Sequence, residues 1–369
     1  MRKHHPENER VKRRYLQFLR EAKRLSEPTV DHAAAAVAAF EESTGYRDFR
    51  RFHIEQAQRF KRVLDEHVCP ANGKPLARAT IHSRLIAMKA FLLWLADQPG
   101  YRSRIRYSDA EYFNPSGKDG RIAKAARERP VPTLEQIRHV LAMMPTKTDI
   151  ERRDRAIIAS TILTGARDNA IASLSLKHID MEQRTLFQDA REVRTKRAKT
   201  IYSHFFPVGE DIEAIVFEWV ALLKDRHLFG PDDPLFPATQ VALGDTGQFE
   251  AVGLSRKHWQ NANTIRRIFR EAFEAAGLSY FNPHSFRRTL AALGERVCTT
   301  PEAFKAWSQN LGHDQVLTTF ISYGGVSLRR QGEILEELRS GVAKSDGLRG
   351  LDEVALGRAV LSVLRQGKD

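Results

Sequence analysis

His284-Ser285-Phe286-Arg287, then Leu311-Gly312-His313, then Tyr323 stand within forty residues of one another near the C-terminal end. They supply a guanidinium, two imidazoles and a phenol, the equipment for attacking a phosphodiester with a tyrosine oxygen. His284 and Arg287 are three apart, so on a helix they share a face and converge on one anion. Arg167 follows Thr164-Gly165-Ala166 at a helix end, and two guanidiniums can grip both non-bridging oxygens of one phosphate. The same pair would neutralise charge growing in a pentacoordinate transition state. Singly, each residue has an ordinary explanation. Arg167 alone reads as a surface residue, either histidine as a satisfied core group, and Tyr323 as a packed aromatic. Zinc is disfavoured because Cys298 is the sole thiol nearby and fits no ligand spacing. No metal and no cofactor is expected, and joint phosphate ligation is preferred. Tyr323 precedes Gly324-Gly325, which suits presentation of a nucleophile.

The elements that must position these groups follow from composition and pattern. The 369 residues exceed one ordinary core and suit two domains, with 42% apolar and 28% charged residues. The formal net charge is +13, which makes an anionic polymer or surface a natural partner. That charge is concentrated: residues 1–130 hold 27 Lys+Arg against 16 Asp+Glu, a net +11, leaving +2 for residues 131–369. Cys69 and Cys298 are too few for a disulfide framework, so a reducing cytoplasm fits. The N-terminus lacks an apolar run, and Ala214–Leu223, read as the most apolar helical stretch, is far short of a membrane span. No membrane partner is expected.

The first third reads as helical over residues 10–24, 29–42 behind Thr29 as N-cap, 54–67, and from Thr80 to the Gln98-Pro99-Gly100 stop. Residues 114–132 form a basic linker punctuated by Pro115, Pro130 and Pro132. Thr133-Leu134-Glu135-Gln136 is a capping box opening the next helix, and another runs from Glu151 to Leu163, ending at Gly165. Residues 185–189, 192–196 and 203–208 read as three short strands. Helices follow near 211–226, 263–276, 285–297 and 301–310, beyond Val326, and over 351–364. The fold class is therefore mainly α with a small β-sheet (α+β) catalytic domain, preceded by an all-α N-terminal helical bundle.

The ordered set Arg167, a hairpin lysine, His284-x-x-Arg287, Leu311-Gly312-His313 and Tyr323 resembles the tyrosine recombinase (phage-type integrase) family. The match covers about residues 131–340, and the bundle before it resembles the family's core-binding domain in layout and charge. The resemblance implies a DNA-binding bundle over 1–113, a linker over 114–132, a catalytic domain over 133–342 and a helical tail over 343–369. It also implies that Arg167 and Arg287 hold the scissile phosphate, that His284 and His313 hydrogen-bond it and move protons, and that Tyr323 attacks to give a 3′-phosphotyrosine. A general-acid lysine in the hairpin protonates the leaving 5′-oxygen. Lys196 is preferred for its Thr-Lys setting, and Lys199 stays open for its distance from Pro207.

Implied too are double-stranded DNA as partner, a monomer in solution, a homotetramer in the DNA synapse, and mobile-element recombination without ATP or metal. Three places depart from the family pattern. Ala170 stands where an acidic residue is usual, Arg288 follows Arg287 where histidine is usual, and Tyr323 lies ten residues after His313 rather than nine. A type IB topoisomerase-like relaxing enzyme and a catalytically inactive DNA-binding protein are the alternatives.

Overall fold

Proline and acidic side chains start the first helices of the chain. α1 (Pro6–Glu21) opens on Pro6 with Glu7 and Glu9 in its first turn, where a missing N–H costs nothing and the helix dipole favours acid. α2 (Glu27–Ser43) uses Pro28 in the same way, which moves its N-cap to Ser26. Thr29 is therefore inside the helix rather than capping it, and shares a 3.0 Å hydrogen bond with Ser26. The computed structural model describes residues 4–70, 73–117, 120, 130–244, 247–313 and 332. The chain divides into two units, Met1–Ala126 and Arg127–Asp369.

The first unit is a helical bundle completed by α3 (Ile54–Glu66) and α4 (Arg78–Ala96). A two-residue hairpin, β1 (Val68–Cys69) with β2 (Lys74–Pro75), joins them, and a 3₁₀ turn at Tyr107–Phe113 packs on the bundle. The core is aromatic. Phe40 meets Phe60 edge-on at 5.4 Å and Phe113 at 5.6 Å, and Phe49 meets Phe91 at 5.2 Å, arrangements that suit ring quadrupoles. α4 has 19 residues and is long and apolar enough by composition to cross a membrane. Its Ile81, Leu85, Met88, Phe91, Leu92 and Leu95 are buried in the bundle core instead. One polar network penetrates that core. Asn8 donates to Glu41 and to the Arg47 carbonyl, and accepts from the Phe49 N–H at 3.0 Å.

In the second unit, α5 (Leu134–Met143) begins with the expected Thr133/Gln136 capping box. α6 (Asp149–Thr164) begins two residues early because Thr148 and Glu151 form another. From Ala156 to Thr164 every residue of α6 is buried, and further elements follow it in the chain. They are the short helix α7 (Asp168–Ile171), strands β3 (Ile179–Asp180), β4 (Thr185–Gln188) and β5 (Ile201–His204), and helices α8 (Glu210–Ala221), α9 (Asn263–Ala275), α10 (Pro283–Val297) and α11 (Pro301–Asn310). The three strands form one antiparallel sheet in the order β3-β4-β5, with Leu186 opposite Ser203. The fold is thus mainly α with a small sheet.

Two strand expectations need correction, and one hairpin was not expected. Residues 192–196 are not a strand. Asp189 accepts the Arg191 and Val193 N–H groups and turns the chain, and Val193 is buried. β5 ends at His204 rather than Val208 because the Phe206 N–H donates to the Leu163 carbonyl at 2.7 Å and its ring enters the core. A further hairpin, β6 (Thr239–Leu243) with β7 (Phe249–Leu254), occupies a stretch where none was expected. The helices expected beyond Val326 and over 351–364 fall outside the described residues, apart from Gly332.

Candidate active site

Gly165 closes α6 in the left-handed conformation, φ 64°, which costs glycine no steric strain. A Cβ there would lie 3.0 Å from Leu311 and 3.2 Å from Leu290, so a larger residue would crowd the side chains between α6, α10 and the end of α11. The tight turn leaves Arg167 half-buried at the N-cap of α7.

α10 starts at Pro283, capped by Asn282, whose side chain accepts the Ser285 N–H. Phe286 fixes its rotation, being fully buried with its ring 5.0 Å from Phe269. That rotation buries Arg287, only 2% exposed, and leaves His284 at the surface end. Burying a guanidinium is costly unless its donors are met. Arg287 donates from Nη1 to the Gly165 carbonyl and from Nη2 to the Leu311 carbonyl at 2.5 Å. It therefore joins the turn after α6 to the turn after α11.

The second turn is fastened to the sheet. Asn310 accepts the His204 N–H at 2.7 Å and donates back to its carbonyl at 2.9 Å, while Ser203 donates to the Asn310 carbonyl. Gly312, at φ 72°, then lets the chain pass so close to Ile201 that a Cβ would sit 3.0 Å from its side chain. His313 emerges from this turn with Nε2 3.2 Å from Arg287 Nη2. A guanidinium only donates, so Nε2 is the acceptor and the proton is on Nδ1.

Both imidazoles are held well below the ordinary value. His284 is pushed down to about 4 first by desolvation of its ring, then by Arg287, Arg167, Arg288 and Lys196. His313 is pushed down to about 4 by burial, then by Arg287, Arg167, Lys199 and His284. Near neutral pH both rings are uncharged, so each offers one N–H donor beside a cluster of fixed cations, the His313 lone pair being taken by Arg287. That combination is chemically suited to holding an oxyanion.

The structure therefore brings together Arg167, Lys196, His284, Arg287 and His313. Tyr323 lies outside the described residues. Lys196 is exposed in the loop between β4 and β5. Lys199, in the same loop, donates to the Gly312 carbonyl at 3.3 Å, so both lysines border the site. Ala170 is a core residue, 1% exposed. The nearby acid Asp168 pairs with Arg266 at 2.7 Å. Arg288 and Lys199 join the cluster through their effect on the two imidazoles. Arg288 stood out in the sequence only as an irregular neighbour of Arg287.

The phage integrase family model matches residues 131–323, which takes in every element of this site. Tyrosine recombinase XerC of Escherichia coli O127:H6 is 22% identical over 313 residues, covering 84% of this chain and 89% of that protein. Among solved structures, a lambda integrase dimer bound to a COC′ core site aligns with a TM-score of 0.55 and 14% identity, covering 87% of this chain and 96% of that one. The Tn1549 transposon integrase in complex with transposon right end DNA gives 0.50 and 15%, covering 89% and 99%. These likenesses show a shared fold. With the family model spanning more than half of its length, the chain belongs to the phage integrase family, the tyrosine-type site-specific recombinases.

Proposed function

We propose that this protein cuts and rejoins DNA strands at specific sites through a 3′-phosphotyrosine intermediate. The observation that carries this is Arg287, buried and held by two carbonyls, with two neutral imidazoles and further cations facing the same spot. In this reading Arg167 and Arg287 hold the scissile phosphate and offset its growing charge. His284 and His313 hydrogen-bond its oxygens. The Tyr323 phenolic oxygen attacks phosphorus as the bond to the 5′-oxygen breaks, and Lys196, or Lys199 beside it, gives that oxygen a proton. The ester retains the bond energy, so a second strand's 5′-hydroxyl can reverse the step without ATP.

The supporting DNA contacts are assigned to the basic bundle over residues 1–113 and the linker over 114–132, with catalysis over 133–342 and a tail over 343–369. The assembly proposed is a monomer in solution that forms a tetramer on paired sites, acting in the cytoplasm on mobile DNA.

The test is a nicked suicide substrate carrying the recognition site. Unmodified protein should accumulate a covalent adduct, in EDTA as well as in magnesium, while Tyr323→Phe binds the same DNA and forms none. An adduct that persists in Tyr323→Phe would overturn the nucleophile assignment. Relaxation of plasmids lacking any special site would point to a topoisomerase instead.

A further inference from the structure

The general-acid lysine sits on an irregular loop, and something must hold that loop over the phosphate. Arg197 and Ala198 inside it have φ of 63° and 49°, a left-handed conformation uncommon for non-glycine residues. Contacts that anchor the chain just before these residues converge on Arg194. Its backbone N–H donates to Ser173 Oγ at 2.9 Å. Its guanidinium donates to the Ala172 carbonyl at 3.1 Å, the Trp259 carbonyl at 2.5 Å and the Gln260 carbonyl. Ser173 Oγ in turn lies 3.1 Å from the Asn169 and Ala170 carbonyls of α7. α7 is the helix whose N-cap is Arg167.

We infer that Arg194 is a positioning residue that fixes the loop lysine relative to the phosphate-binding Arg167. It rests on the strand-cleavage reading above. A planar fork can meet three carbonyls from two chain segments at once, which a lysine ammonium on a flexible stem does not. Loss of the fork lets the segment from Thr195 to Lys199 drift while α6, α10 and the Arg287 contacts stay in place. The step that suffers is proton delivery to the 5′-oxygen as the bond from phosphorus to that oxygen breaks.

A DNA substrate with sulfur in place of that bridging oxygen isolates this step, because a thiolate departs without needing the proton. Single-turnover adduct formation by Arg194→Ala should fall by about 10- to 100-fold on the oxygen substrate, within the range general acids contribute. On the sulfur substrate it should return to within about threefold of the unmodified protein, since the acid no longer matters. DNA affinity should be unchanged. Arg194→Lys should fall between the two and respond to sulfur in the same way.

A defect of equal size on both substrates, or one that appears as weakened DNA binding, would overturn the inference. If Arg194→Ala does not fold, Ser173→Ala decides: a smaller defect that sulfur removes supports the role, and one that sulfur leaves untouched refutes it. Failure of the unmodified protein to form an adduct on either substrate would instead sink the cleavage reading itself.

Discussion

The two units treat their cations in opposite ways. The first carries nearly all of the net charge, yet its interior is aromatic and its described arginines stay out of the core, as in Arg78 with Asp65 and Arg102 with Asp97. The second is almost neutral over its length but buries Arg153 and Arg287 to 2% exposure and gathers further cations around the latter. Net charge thus marks where a polyanion would be held. In the proposed reading, chemistry lies where a few cations have been taken out of water and given fixed partners, since desolvation is what makes their field strong.

Arg287 is the sharpest test of that contrast. Arg287→Ala should lower single-turnover adduct formation by about 100-fold or more, as for loss of one charge-stabilising donor. It should also destabilise the fold by roughly 1–3 kcal/mol, because the Gly165 and Leu311 carbonyls lose their donor. Arg287→Lys should recover little of either, since a single ammonium does not bridge both turns. Denaturant titration and the suicide substrate measure the two effects. A variant that is stable and active would erase the distinction between buried and surface cations.

The bundle should respond in the complementary way, through packing alone. Phe60→Ala removes a fully buried ring from the edge-to-face cluster with Phe40 and Phe113 and should cost about 3–5 kcal/mol. A loss below about 1 kcal/mol by denaturant titration would mean the aromatic core does not hold the bundle together.

Much of this contrast was legible in the sequence. Helix positions follow from period and caps, and the Thr133/Gln136 box does what its spacing says. His284 and Arg287 do lie on one helix, the setting in which their three-residue spacing puts them on one side. What was illegible depended on backbone partners. Arg194 reads as one more basic residue, because its three acceptors are carbonyls that no side-chain pattern encodes. Residues 192–196 alternate like a strand, but Asp189 captures the N–H groups that a ladder would need. The β6–β7 hairpin escaped for another reason. Val241, Leu243, Phe249 and Val252 are all exposed, so no buried face imposes the period by which strands are recognised.

Acid should probe the imidazoles separately from the fold around them. His284 and His313 are both pushed down to about 4 from an ordinary 6.5, so across that interval the unfolded chain binds more protons than the native one. Stability contributed by the neutral rings is therefore complete above about pH 6.5 and is lost as pH falls through about 4. The melting temperature of DNA-free protein should decline over this window, and His313→Gln should flatten the decline. A bound phosphodiester would offset the arginines and raise both values. Binding near pH 5 should then take up protons, seen by calorimetry in buffers of different ionisation enthalpy. No uptake would place the DNA phosphate elsewhere.

The smallest effect expected belongs to the bundle's surface. Arg59 and Arg62 are exposed and three apart on α3, so they share one face and can contact neighbouring phosphates. If that face binds DNA, neutralising either to Gln should lower the slope of log affinity against log salt by about one, uniformly across DNA sequences. Folding stability should change by no more than about 0.5 kcal/mol, as for surface sites without special contacts, and the rate of adduct formation at saturating DNA should not change. A drop in that saturated rate would mean that bundle cations take part in the chemistry and do more than hold the substrate. An unchanged salt slope would place the DNA on another face of the bundle.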